Sequence, residues 1–529
     1  VLLAPALALG LAACSPSWFV EDADGEVTQV LAEADGKALS ARESWIRQPE
    51  PRPEDDAEPD ADAAGETAPD RVPLIELTLE NSLGAGFTTA REYLTRQEDL
   101  YVAGLGLTLT RFNFGPQLNS TVGYLWGDSE FGPSSSTADA NFSLSQILKT
   151  GGTFSVATGL STNRTAGPHG SDPDKGRSWS SNVDFALDQP LLRGAGYDVA
   201  WEALTQAERT ILYSVRTFEL FRQDHAIGII AEYFGLISQR TQLENTQVNY
   251  ENAVYDREKS EALRLVDRIP DSQLIQARRR EVTARNDVLV AETDYKFSLD
   301  TFRVRLGLPE ADEITIGDEV PPFEAVRLDA DSAVEVALFN RLDLITAEER
   351  VEDSERQLGI ARNNLLPDLD LDLGYGRDGN DGYFGGAVAP NDWRTNASLR
   401  LEIPLQRLPE RNNYRSRLIA YDQAERNYDL LLANTERDIR DSLRNLDQLE
   451  EQIALAEQQI SQDERAVALT QIQYEAGEID VRNLLESRQS LVDSQNGLIQ
   501  VQVNHFIARL RLYRDLGLLF IDENGNWRA

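Results

Sequence analysis

The 529 residues contain one cysteine, three histidines and no methionine. The single thiol, Cys14, excludes an internal disulfide framework. His169, His225 and His505 are scattered, without partners at metal-ligand spacing. Positive charge is scarce as well. Lys and Arg number 51 against 89 Asp and Glu, a formal net charge of −38. Phosphate backbones are repelled by such a chain, which argues against nucleic acid as a partner. An acidic surface, or an acidic lumen that favours cations, fits better. There is no Ser/His/Asp order, no Gly-rich phosphate loop and no metal cluster, so nothing supports a hydrolase or a cofactor. The lack of any methionine gives the expectation that the true start lies upstream of Val1.

Glycine and proline are missing from one long stretch, Arg411 to Ala476. Within it Leu432, Ile439, Leu446, Ile453, Ile460, Val467 and Tyr474 recur every seventh residue, separated by polar side chains. Apolar residues at a heptad interval form one seam of a coiled coil, and a seam must be covered by another helix. At about 1.5 Å per residue this helix would be on the order of 100 Å long. Such a rod either spans something or bundles with copies of itself.

Val1 to Ala13 (VLLAPALALGLAA) is an apolar run too short to cross a bilayer as a helix. It ends in Leu11-Ala12-Ala13-Cys14, which resembles the lipobox of bacterial lipoproteins. That resemblance implies cleavage before Cys14 and acylation of its thiol. Ser15, next to the cysteine, implies delivery to the outer membrane. Buried acyl CH₂ groups would fix this end of the chain to lipid. Gln48 to Arg71 is Pro-, Ala- and acid-rich and has no large apolar side chain. It is expected to be an extended, self-repelling tether.

The remainder is an internal duplication. Leu77-Thr78-Leu79 answers Leu328-Asp329-Ala330, and Pro116 answers Pro367 at the same offset. Asp188-Gln189-Pro190-Leu191 answers Glu402-Ile403-Pro404-Leu405, and the halves close with Leu306-Gly307-Leu308 and Leu516-Gly517-Leu518. Pro116 and Pro367 are expected to end a helix, because the residue before proline avoids the α region. Pro190 and Pro404 are expected in the first turn of the next helix. Between these prolines the chain alternates with period two, as in Leu369-Asp370-Leu371-Asp372-Leu373. The pattern describes a half-buried antiparallel strand in water and equally a transmembrane barrel strand. The first bracket is twice as long as the second. Its surplus includes Asn141 to Leu148 and Thr153 to Thr162, read as an extra hairpin that adds barrel strands or forms an external loop. Leu105, Leu107 and Leu109 also alternate, so a strand starting before Pro116 competes with the expected helix.

Each half then predicts an antiparallel helical hairpin. Asp198 to Arg264 carries Ile229, Leu236, Leu243 and Tyr250 on one seam, and Ser272 to Leu306 returns. Arg411 to Ala476 is followed by Val481 to Leu516, with Leu484, Leu491, Leu498, His505 and Leu512 on its seam. His505 is expected to be packed in the core. The turns, Leu265 to Pro270 and Ala476 to Asp480, place Asp267 and Gly477 at equivalent left-handed positions.

These features resemble the TolC-like outer-membrane factor family over about Leu77 to Leu519. The resemblance rests on the duplication and on Gln189-Pro190-Leu191-Leu192-Arg193-Gly194. It rests also on Arg341-Leu342-Asp343-Leu344, on Ala361 to Leu369 (ARNNLLPDL), and on Tyr474-Glu475-Ala476-Gly477 with Leu484-Leu485-Glu486. The resemblance implies a mainly α fold with a transmembrane β-barrel. Duplicated strand pairs and long hairpins would assemble as a homotrimeric channel-tunnel in the outer membrane of a didermic bacterium. It implies a periplasmic adaptor and an inner-membrane pump as partners. The adaptor would contact the hairpin tips at Leu265, Val266, Asp267, Arg268, Ala476, Gly477, Glu478 and Ile479. Family members narrow their entrance with acidic side chains; Asn483, Glu486, Gln273 and Gln276 stand at the matching positions, and only Glu486 is a carboxylate. Pro116, Pro190, Pro367 and Pro404 mark the strand–helix junctions.

The expected organisation is a signal segment (1–13), an anchored segment (14–47) and the linker (48–71). A first repeat follows (72–310, strands 117–188, hairpin 191–306). The second repeat (311–519) has a helix at 329–366, strands at 368–404 and a hairpin at 405–516. A tail (520–529) ends the chain. The function implied is the outer duct of a tripartite efflux system. The competing readings are the duct of a type I protein secretion system and a pore-less periplasmic coiled-coil scaffold.

Overall fold

The structure is a computed structural model. It describes residues 16–38, 74–127, 134–166, 176–309, 313–317, 323–389, 392–476, 478–479, 481–522, 525 and 527–528. Cys14, the 48–71 linker and Gly477 lie outside the described residues. The chain divides into two compact units, residues 1–44, 100–215 and 346–429, and residues 45–99, 216–345 and 430–529.

The first unit is built on a six-stranded antiparallel sheet. Numbering the strands in chain order after a short β1 (Leu74–Leu77), these are β2 (Gln117–Gly127), β3 (Ser134–Ile147), β4 (Thr153–Ala166) and β5 (Arg177–Pro190). A short β6 (Glu313–Ile316) precedes β7 (Asp368–Asp381) and β8 (Asp392–Glu402). The order across the sheet is β2-β3-β4-β5-β7-β8. The extra hairpin read from the sequence is thus β3–β4, paired into the sheet and longer than anticipated. Helix α1 (Pro16–Ala38) belongs to this unit. It buries Val27, Val30, Leu31, Ala34 and Ala38, a three- and four-residue spacing that marks one helix face. Gly104 allows its approach, for a Cβ there would lie 2.8 Å from Val27 Cγ1. Nearby, Arg209 and Tyr213 both donate to the Asp353 carboxylate at 2.7 Å.

The second unit is helical, with two small strand pairs. In chain order, and running through both units, the helices after α1 are α2 (Leu79–Thr88), α3 (Arg91–Phe114), the one-turn α4 (Tyr197–Ala200) and the first hairpin helices, α5 (Glu202–Leu265) and α6 (Asp271–Leu306), of which residues 100–114 and 197–215 belong to the first unit. The second half of the chain repeats the plan with α7 (Ala330–Asn340) and α8 (Leu342–Asn363), a single turn α9 (Phe384–Ala387), α10 (Leu408–Ala476) and α11 (Val481–Asp515), of which residues 346–429 belong to the first unit. α5 and α10 contain 64 and 69 residues. Their seams are covered: Ile229, Leu236, Ile439, Leu446 and Ile453 are buried, and no seam residue of α10 is exposed. One core cluster joins α5, α6 and α11 through Tyr233, Phe234, Phe302 and Phe506, and a second sets Ile439 and Leu446 of α10 against Val334 of α7 and Leu512 of α11. Fully burying one such side chain contributes roughly 1.5–3 kcal/mol.

The duplication is visible atom by atom. Thr78 caps α2 by accepting from the Asn81 N–H at 3.2 Å, and Asp329 caps α7 by accepting from the Ser332 N–H at 3.0 Å. Both pairs fall at the offset that relates Leu77 to Leu328. Each such cap stabilises its helix by about 1 kcal/mol. β1 and β6, which open the halves, pair in parallel.

Several expectations are corrected. Pro190 is not in a first helical turn: it ends β5, where a missing N–H costs no ladder bond, and the helices start only at Tyr197 and Glu202. Pro404 likewise precedes an irregular link to α10, which starts at Leu408. Leu105, Leu107 and Leu109 lie in α3, not in a strand; Leu107 is buried and Leu109 exposed, as helical spacing demands. The expected 329–366 helix breaks at Arg341, which takes an extended conformation between α7 and α8. The tail is not featureless. β9 (Phe520–Ile521) and β10 (Trp527–Arg528) pair, and the Arg222 guanidinium donates to the Ile521 carbonyl at 3.1 Å.

Candidate functional site

The sheet has two chemically different faces. Register sets Leu118 opposite Leu144, Leu144 opposite Val156, Val156 opposite Phe185 and Phe185 opposite Tyr375. On the same face Leu369 meets Leu401 and Leu371 meets Leu399. The reverse face carries Asn119, Asp139, Asn141, Ser161, Asn182, Asp184, Asp370, Asp372, Asn396 and Arg400. Strand alternation sends successive side chains to opposite faces, so this sorting follows directly from the period-two sequence. Gly159 and Gly374 make room on the polar face: a Cβ at either would lie 2.5 Å from the Asn182 amide oxygen or 2.2 Å from that of Asn396. The α9 turn lies on the apolar face, the Ser181 hydroxyl donating to the Ala387 carbonyl at 2.6 Å, and the face is open toward its two edges. Tyr124 and Trp393 are 71% and 68% exposed.

The strand–helix junctions bring two of the sequence signatures together. Arg193 of QPLLRG pairs with Asp368 of LLPDL at 3.4 Å, and the Gly194 N–H donates to the Asn363 side-chain oxygen at 2.8 Å. Pro367 stands directly before β7, and Pro116 directly before β2. In RLDL, Arg341 makes a two-pronged contact with Asp343 at 3.0 and 2.7 Å. Burial works against the Asp343 carboxylate, but the Arg341 guanidinium prevails and holds its pKa below the usual range.

At the hairpin ends one backbone device recurs. Asp267 has φ +54°, its N–H donates to Arg264, and the Arg268 N–H donates to the Leu263 carbonyl at 3.0 Å. The Glu478 N–H donates to the Gln473 carbonyl at 2.9 Å, the same five-residue reach across Gly477. Gly307 and Gly517 close α6 and α11 in this manner too. A left-handed residue followed by such a bond satisfies the last carbonyls of a helix and reverses the chain. The first tip presents Leu265 at 87% exposure, with Val266, Asp267 and Arg268 also exposed. At the second tip Ala476 and Glu478 are exposed, whereas Ile479 packs on Tyr474 and Leu484.

Of the expected entrance residues, Gln276 and Glu486 line one cleft, and Gln273 and Asn483 do not. Arg279, Arg280 and Arg482 line the same cleft, so Glu486 stands among cations. Sequence reasoning from Gly477 alone passed over those arginines, although Arg278-Arg279-Arg280 is conspicuous in the chain. The two hairpins are tied by polar contacts. Arg488 of α11 pairs with Asp256 of α5 at 2.6 Å, and Asn245 donates to Asn496 at 2.7 Å. Asp256 is buried, which pushes its pKa up, while Arg488 and Lys259 pull it back. His505 is buried against the Phe323 ring, with Glu450 at 3.8 Å.

Comparison with known proteins places these features. The family model for outer membrane efflux proteins matches residues 333–518. The pyoverdine export outer membrane protein OpmQ of Pseudomonas aeruginosa is 23% identical over 472 residues, covering 87% of this chain and 86% of that protein. OpmQ of Pseudomonas putida is 24% identical over 370 residues, covering 66% and 73%. Among solved structures, the CusC channel has a TM-score of 0.61 at 17% identity, covering 86% of this chain and 95% of that one. The open state of the Neisseria gonorrhoeae MtrE channel has a TM-score of 0.58 at 15% identity, covering 83% and 89%. Residues 333–518 thus carry an outer membrane efflux protein domain, and the chain as a whole is similar to efflux channel-tunnels of the outer membrane.

Proposed function

We propose that this chain is the outer duct of a tripartite efflux system, working as a homotrimer. The sheet stands in the outer membrane as its share of one barrel, and the helical hairpins form the periplasmic tunnel. The observation that carries this reading is the two-faced sheet. An exposed apolar face backed by a polar one suits lipid outside and water inside. Edge strands with free N–H and C=O groups cannot end in lipid, so the sheet must close with copies of itself. The role of the OpmQ relatives, pyoverdine export, supports a small exported solute as cargo.

The duct works by position rather than by chemistry. The tips offer Leu265 and Val266 to an adaptor, which delivers cargo from an inner-membrane pump. Opening slides or uncoils one hairpin against the other, a motion of packed rigid elements. The Arg488–Asp256 pair holds the hairpins together in the closed form. Cys14, acylated, adds a lipid anchor. Reconstitution in a planar bilayer tests the reading: trimers that conduct ions support it, and a protein that binds lipid but never conducts would leave only the scaffold reading.

A further inference from the structure

Among the described residues the β3–β4 hairpin has no counterpart in the second half, where β7 and β8 are the strands between the prolines. It is not laid over the sheet. β3 pairs with β2 along the whole of β2, and β4 pairs with β5, so the hairpin separates strands that would otherwise be neighbours. Its side chains continue both faces. Ala138, Ala140, Phe142 and Leu144 of β3 and Phe154, Val156 and Leu160 of β4 lie on the apolar face. Asp139, Asn141, Ser143, Ser155, Gly159 and Ser161 lie on the polar one. An external loop would have no reason to keep an apolar face in register with Leu118, Val122 and Tyr124 on one side and Phe185 and Leu187 on the other.

We propose that β3 and β4 are wall strands and that the barrel shared by three chains has eighteen strands. This rests on the trimeric reading above. The strand directions agree with it. Six alternating strands leave β2 and β8 as open edges running in opposite directions, both of 11 residues. The β8 of one copy can therefore pair antiparallel with the β2 of the next, and the ring closes head to tail. Strands of about 9–11 residues cross a bilayer, and all six reach that length. Barrels of roughly 16–18 strands enclose an aqueous channel. The barrel is then a wide, wet exit that does not sieve small hydrophilic solutes, and selection falls to the helical end.

The test places an environment-sensitive fluorophore on single introduced cysteines in the full chain, reconstituted in vesicles containing brominated lipid. Label at Phe142→Cys and Val156→Cys should be quenched by the lipid as strongly as label at Leu399→Cys on β8. Label at Asn141→Cys and Ala157→Cys should instead be quenched by aqueous iodide. If Leu399→Cys is lipid-quenched in intact trimers while Phe142→Cys and Val156→Cys respond only to iodide, the hairpin lies outside the wall and the inference is overturned with the trimer reading intact. If Leu399→Cys is itself iodide-quenched, or no trimer forms, both fall. Cryo-electron microscopy of the unsubstituted chain gives an independent count: eighteen strands support the inference, and twelve overturn it.

Discussion

Gly307 meets the Thr89 carbonyl so closely that a Cβ on it would lie 2.2 Å from that oxygen. Gly517 meets the Asn340 carbonyl in the same way at 2.8 Å, and Thr89 and Asn340 are equivalents in the duplication. Both glycines have positive φ, +72° and +69°. The return helix of each half is thus seated on the end of that half's first short helix. Gly307→Ala faces both a left-handed backbone and a backbone clash, so it should cost about 2 kcal/mol or more. Thermal unfolding of the purified protein checks this. An unchanged melting temperature would show that the contact is not needed.

Leu265 and Val266 are 87% and 65% exposed at the first tip, and apolar tips of this kind are suited to docking. Leu265→Asp and Val266→Asp should abolish adaptor binding and leave trimers intact, as should Gly477→Pro. Pull-down with the cognate adaptor, with trimers confirmed by native electrophoresis, reads the effect. Normal efflux in such mutants would refute the assignment. Ile479 is a different case: it is packed, so a charge there would disturb the turn itself.

Arg488 joins α11 to α5 through a carboxylate that is almost wholly buried. Removing one partner of such a pair typically costs about 3–5 kcal/mol, because the other charge is left without compensation. If the pair holds the closed form, Arg488→Ala should raise single-channel conductance or open time at least about twofold. Unchanged conductance would remove it from the gate.

Burial lowers the pKa of both His225 and His505. For His225 the Gly86 carbonyl opposes the shift, and for His505 Glu450 does. Unfolded histidine takes up its proton near the ordinary value of 6.5, whereas these resist it in the folded chain. Their contribution to stability is therefore complete above 6.5 and is lost as pH falls from there through the lowered folded values. The melting temperature should drop between about pH 7 and about pH 5, and a His225→Gln, His505→Gln variant should show a flatter profile. An equally steep profile in the variant would assign the loss to other groups.

Much of this architecture was legible in the residues. Heptad seams marked α5, α10 and α11 because a long helix must bury one apolar stripe. The period-two stretches gave β7 and β8 with both faces correctly sorted. Other elements left weaker marks. β1 and β6 are four-residue strands joined only by long-range pairing, which local patterning does not reveal. Helix α1 did carry a readable stripe in Val27, Leu31, Ala34 and Ala38, hidden beside the signal-like segment. Pro190 and Pro404 misled because proline suits the end of a strand as well as the start of a helix. The basic side of the Glu486 cleft comes from arginines on two helices, and only the folded chain brings them together.

On the reading proposed above, the two-faced sheet closes only between copies of the chain. Native mass spectrometry of the detergent-extracted protein tests it most directly. The predicted result is a single assembly of three chains that persists when Cys14 is replaced. A monomer that stays in solution without detergent would contradict it.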